Sequence, residues 1–152
     1  MTDNWAIVGS AIHTQFSGHN KAMIFKNTAG TWGTTAAFDL GHIAGESQFE
    51  EMGGSQFGYS VAMTDNWAIV GAPGSAFGTA TQLSDEFGVM RDNCCFFEKA
   101  FIFKNTAGTW GTTPAFVLDQ NTGDYKFGWS AAMTDNWAIV GATDAKKAFI
   151  FK

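Results

Sequence analysis

Cysteine and proline are scarce, two of each in 152 residues. The cysteines, Cys94 and Cys95, are chain neighbours. A trans peptide does not give adjacent residues the Cα separation of an ordinary bridge, so the pair reads as free thiols or packing residues. A vicinal or intermolecular bridge is the alternative. With no further cysteine and no histidine at ligand spacing, the pair makes no zinc site. Basic residues are also few. Nine lysines and arginines, spread along a chain of net charge −5, form no phosphate-binding patch, which excludes nucleic acid as a partner. No run of about 18 apolar residues exists, so no membrane span is expected. The N-terminus lacks the basic and apolar regions of a signal peptide. The chain opens inside a repeat unit, so a targeting segment is expected either upstream in a longer parent or nowhere. There is no Gly-x-Ser-x-Gly elbow and no phosphate loop.

Apolar residues are plentiful. They make up 45% of the chain, with 15 phenylalanines, enough to offset chain entropy and exclude disorder. The length suits one domain that buries about 70% of its unfolded surface. Eighteen glycines among regularly recurring aromatics favour an all-β chain with many tight turns.

The chain is organised around nine residues, Met-Thr-Asp-Asn-Trp-Ala-Ile-Val-Gly, which occur unchanged at 1–9, 63–71 and 133–141. Spacings of about 62 and 70 residues are the mark of a tandem array. Residues 21–40 and 99–118 differ only at Met23/Phe101, Ala36/Pro114 and Asp39/Val117, and 147–152 begins a third copy. Residues 57–72 and 127–142 differ only at Tyr59/Trp129 and Val61/Ala131.

Each unit reads as four strands. Residues 57–63 alternate in strand fashion. Thr64-Asp65-Asn66 then makes a tight turn, since Asp and Asn bond their own main chain. Trp67-Ala68-Ile69-Val70 follows, a short apolar run buried on both faces. Phe101-Ile102-Phe103 is the third strand. The fourth starts at Thr109-Trp110, with its first-copy counterpart running from Thr31 to about Phe38. The loops at 27–30 and 105–108 fit a four-residue hairpin, a type I turn closed by a left-handed glycine. Short turns between consecutive strands make an antiparallel meander. The first copy supplies the second, third and fourth strands, the middle copy all four, and the last copy the first three. The expectation is ten strands in a partial blade (1–40), a full blade (57–118) and a partial blade (127–152).

The connection after the second strand varies most: 10–20 in the first copy, 142–146 in the third and 72–98 in the second. The long one holds Phe77, Phe87, Met90, Arg91, Phe96 and Phe97. Insertions of this kind map to one face of an array, often the binding face, and long loops are commonly functional. Phe77, Phe87, Met90, Arg91 and Phe96 are the candidate partner-binding residues.

Phe57-Gly58 followed by Gly71-Ala72-Pro73, with an aliphatic strand leading into it, resembles the FG-GAP repeat family. Phe127-Gly128 and Gly141-Ala142-Thr143 repeat the pattern with Thr for Pro, and the first copy keeps Gly9-Ser10-Ala11. The resemblance covers nearly all of the chain except the long loop and residues 41–56. It implies antiparallel four-stranded β-propeller-type blades, here about two and a half repeats. It also implies a non-catalytic binding or adhesion module of the integrin α-chain kind, at the cell surface or outside the cell. Calcium-binding members carry an Asp-rich loop between the first and second strands. Here that loop is only Thr64-Asp65-Asn66 or Thr134-Asp135-Asn136, too short to give six to eight oxygens, so no metal or other cofactor is expected.

Other chemistry finds little support. His13, His19 and His42 have no counterparts in other repeats and read as solvated loop residues. Glu46, Glu50 and Glu51 read as a solvated face. The six tryptophans raise a glycan-binding alternative, but Trp5, Trp67 and Trp137 begin buried strands, and Trp32 and Trp110 are placed to cover a blade edge. The expected partner is another protein, with a glycan as second choice and a purely structural repeat fragment as third. Open strand edges and apolar faces at both ends predict self-association or membership of a longer propeller.

Overall fold

The computed structural model describes residues 1–11, 20–40, 56–74, 98–119 and 126–152. Among them there is no helix, and the strands form three antiparallel sheets that follow the repeats. The first sheet holds β1 (Trp5–Ser10), β2 (Lys21–Thr28), β3 (Thr31–Trp32) and β4 (Phe38–Asp39). The second holds β5 (Ser60–Met63), β6 (Trp67–Ala72), β7 (Lys99–Thr106), β8 (Thr109–Trp110) and β9 (Phe116–Asp119). The third holds β10 (Phe127–Met133), β11 (Ala138–Ala142) and β12 (Lys147–Phe151). Identical residues take identical register: Ile7 pairs with Ile24, Ile69 with Ile102 and Ile139 with Ile150.

Among the described residues twelve strands stand where ten were expected, because the fourth strand of a repeat breaks in two. In the second sheet Asn105 pairs with Trp110, but Ile102 pairs with Phe116, a slip of three residues. Residues 111–115 leave the ladder, and Gly111 N and Ala115 N return to it on Lys104 O and Ile102 O. Pro114 has no N–H to give a ladder at this point. The first sheet breaks in the same place without a proline, between Gly33 and Ala37.

The hairpin loops also differ from expectation. Each is two residues rather than four. Ala29 (φ 52°) and Gly30 (φ 86°), and likewise Ala107 (53°) and Gly108 (85°), are both left-handed, the backbone of a type I′ turn. That turn matches the right-handed twist of the flanking strands, which a type I turn would splay. Residues 57–59, read as strand, form a turn before β5; in the third sheet they correspond to a register irregularity between Phe127 and Ser130.

The sheets pack face to face in chain order. Between the first and second lie Trp5, Ala22, Ile24 and Leu40 against Phe57, Val70, Phe101, Phe103 and Trp110. Between the second and third lie Ile69 and Ala100 against Phe127, Ala138, Val140 and Ala142. Among the described residues only the second sheet has a neighbour on both faces, and its β6 and β7 bury residues on both sides. In β1 and β11 the expectation of two buried faces fails, because Val8 and Ile139 point away from the stack. Trp137 likewise lies outside β11 and is exposed, and Trp67 is half-buried, whereas Trp5 is buried as expected.

Candidate functional site

The Phe-Gly and Gly-Ala-Pro residues sit where two sheets meet. Phe57 is buried, 5.5 Å from Phe101 and 6.3 Å from Phe103 between ring centroids. Phe127 repeats the arrangement against Phe149 and Phe151, at 5.4 and 6.3 Å. The following glycine turns the chain at positive φ, 89° for Gly58 and 94° for Gly128. It also lets two backbones touch. A Cβ on Gly9 would run into the carbonyl of Gly58, and one on Gly71 into the carbonyl of Gly128. Pro73 is fully buried beside this contact. The motif is thus an apolar plug followed by a bare backbone surface, and its chemistry is that of packing.

At the opposite end of the same strands the Thr-Asp-Asn turns form a ladder. Thr64 Oγ1 accepts from the Asn66 and Trp67 amides, at 3.2 and 3.1 Å, and holds the turn closed. The same hydroxyl donates to Asp135 Oδ1 of the third sheet at 2.6 Å. One sheet earlier, Thr2 Oγ1 donates to Asp65 Oδ1 at 2.7 Å. Asn105 Nδ2 donates to Asp65 O at 2.8 Å and Asn27 Nδ2 to Asp3 O at 2.8 Å, tying each hairpin to its turn. The Asp65 and Asp135 carboxylates thus each accept a hydroxyl proton from the preceding sheet.

Beside the Phe-Gly turns lies a small aromatic and charged cluster. Tyr59 and Trp129, one of the two pairs at which these repeats differ, stack across sheets with centroids 4.5 Å apart at 41°. Lys126 Nζ stands 5.0 Å from the Trp129 centroid and 3.2 Å from Asp144 Oδ1. Tyr59 is exposed and Trp129 half-buried. Its Asp144 belongs to the connection after the second strand of the third sheet, and only comparison of repeats hints at the cluster.

The candidate residues Phe77, Phe87, Met90, Arg91 and Phe96 lie outside the described residues, as do Cys94, Cys95, His13, His19, His42, Glu46, Glu50 and Glu51. What is described of that connection is its two roots: Pro73 and Gly74 on one side, and Glu98 on the other, whose Oε2 accepts from Phe127 N at 3.4 Å.

Comparison with known families finds a match over residues 51–84, from before the Phe-Gly turn to beyond the Gly-Ala-Pro strand end. This segment is an FG-GAP repeat. The FG-GAP strands β5 and β6 recur in β10 and β11 almost residue for residue. No curated protein matches the chain.

The tryptophans divide by position in the stack of sheets. Trp110 is buried edge-on against Trp5, at 6.0 Å and 84°, so it seals a junction between sheets rather than an edge. Trp32 and Trp137 belong to the end sheets and are exposed. A lysine covers the first tryptophan of each repeat: Lys26 over Trp5, Lys104 over Trp67 and Lys152 over Trp137, each at 5.4–5.6 Å.

Proposed function

We propose that the chain is a non-catalytic protein-binding or adhesion module, a segment of an FG-GAP propeller that presents its loops to a protein partner outside the cell. One observation carries this reading: the repeated residues are engaged in holding sheet to sheet. Phe57, Gly58, Gly71, Thr64 and Asp135 all face another sheet. The variation is left to the connections after the second strands, above all residues 72–98. Repeats of this family serve generally as non-catalytic modules. Phe77, Phe87, Met90 and Phe96 then provide apolar anchors, with Arg91 as a polar one, the side-chain types that dominate binding hot spots. The test is deletion of residues 75–93 followed by a pull-down with the intact chain as reference. Folding should survive and partner capture should be lost; capture unchanged by the deletion would refute the reading.

A second reading is glycan binding, favoured by the Tyr59–Trp129 stack beside Lys126 and Asp144. An exposed tyrosine next to paired charges suits a sugar ring and its hydroxyls. A glycan array separates the two readings. Signal lost on Tyr59→Ala but kept on deletion of 75–93 would favour the sugar.

A further inference from the structure

The two end faces of the stack are halves of an interface that the chain already makes internally. The outer face of the third sheet carries Trp137, Ile139, Gly141, Ala148 and Ile150. These are the same residue types, in the same register, as Trp67, Ile69, Gly71, Ala100 and Ile102, which the second sheet turns toward the third. Ile69 is 0% exposed there, whereas Ile139 is 40% and Ile150 67% exposed. At the other end, the outer face of the first sheet carries Met1, Ala6, Val8, Phe25 and Trp32. Their counterparts in the second sheet are Met63, Ala68, Val70, Phe103 and Trp110, all of which pack on the first sheet. Val70 and Trp110 are 0% and 2% exposed; Val8 and Trp32 are 47% and 38% exposed. The apolar residues left uncovered at the ends are therefore ones whose repeat counterparts cover each other inside.

The polar groups at the two ends match as well. Thr134 Oγ1 accepts from the Asn136 and Trp137 amides at 3.4 and 3.2 Å, as Thr64 does in its turn. Thr64 also donates its proton to Asp135, but the Thr134 hydroxyl meets no acceptor among the described residues. Asp3, the counterpart of Asp65 and Asp135, is exposed, and its carboxylate meets no donor among them. One end thus offers a hydroxyl and the other a carboxylate.

We propose that the outer face of the third sheet docks the outer face of the first sheet of a second copy of this chain, head to tail. Ile139 and Ile150 then cover Val8 and Phe25 of the second copy, Trp137 meets its Trp32 as Trp5 meets Trp110, and Thr134 donates to its Asp3. The described part of the first sheet has no counterpart of β5, so this junction lacks the Phe57 and Val61 contacts and is weaker than the internal ones. Because the interface joins two different faces, it either closes a ring or propagates. This inference does not rest on the long loop, and neither test bears on the other.

The experiment uses the intact chain and two blocked variants. Ile150→Asp spoils one face and Val8→Asp the other, both at exposed positions, with circular dichroism confirming the fold. Trp32→Ser serves for the second face should Val8→Asp fail to fold. Light scattering after size exclusion should give a dimer or larger species for the intact chain at micromolar concentration and a monomer for each variant. Mixing the two variants should give a 1:1 heterodimer, since each keeps the face that the other lacks. A monomeric intact chain, a variant that still self-associates, or a mixture that stays monomeric would each overturn the proposal.

Discussion

Two kinds of glycine separate at the level of single residues. Gly71 lies against the Ser60 hydroxyl and the Gly128 carbonyl of the next sheet, and the carbonyl is backbone that cannot swing aside. Gly108 has a left-handed φ of 85° but open space around it. Gly71→Ala should therefore lower stability by about 3–5 kcal/mol, since a packed backbone must move. Gly108→Ala should lower it by only ~1–2 kcal/mol, the local strain of an L-residue. Urea unfolding of the two variants checks the contrast; equal losses would mean that the sheet contact has slack. Ala107 is the reverse case. It adopts φ 53° in a turn where Asn-Gly is the preferred pair. Ala107→Asn should raise stability by about 0.5–1 kcal/mol, read as a higher unfolding midpoint.

The turns tie neighbouring sheets together by hydrogen bonds, alongside one strand contact in which Ser60 Oγ donates to Gly128 O at 2.8 Å. Thr64 closes its own turn and reaches across to Asp135. Thr64→Val removes both functions and should destabilise by about 1–3 kcal/mol. A double-mutant cycle of Thr64→Ala with Asp135→Ala should show a coupling of ~0.5–1.5 kcal/mol. Zero coupling would reduce the contact to a geometric coincidence. The strands themselves were legible in the chain, because Trp-Ala-Ile-Val and Phe-Ile-Phe combine β propensity with internal identity. The turn bonds were not: Thr2 and Asp65 are 63 residues apart, and nothing local marks the pair. The break in the fourth strand was hidden by Thr34, Thr35, Thr112 and Thr113, which favour strands wherever they stand. The hairpin type was hidden by Ala29 and Ala107, a residue that gives no warning of positive φ.

For the molecule as a whole, stability should behave as that of a stack with two junctions. Trp5 sits in one and Phe127 in the other. Trp5→Ala and Phe127→Ala should each cost ~3–5 kcal/mol and should be nearly additive, since each touches only its own junction. Strong non-additivity would mean that the middle sheet relays strain between its faces. At this scale the number of sheets and their order were readable from the repeats. Which face of each sheet was covered was not, because identical strands give identical patterns whether or not a neighbour is present. The candidate loop stood out through its length and its phenylalanines, and those traits carry no geometry.

The three identical second strands also have a consequence for how the chain finds its fold. β6 meets in β12 the same five residues, Lys-Ala-Phe-Ile-Phe, that open β7. Side chains therefore cannot tell the right pairing from the wrong one, and connection length must. For β11 the four residues to β12 are far shorter than any rival route, an advantage on the order of 2–3 kcal/mol in loop closure. For β6 the connection spans 73–98, and the advantage over reaching β12 shrinks to roughly 1 kcal/mol. Refolding from denaturant should then pass through chains in which β12 occupies the place of β7, a slow phase that shortening the connection by removing 75–93 should abolish. The long insertion is thus where the order of the sheets is least well enforced.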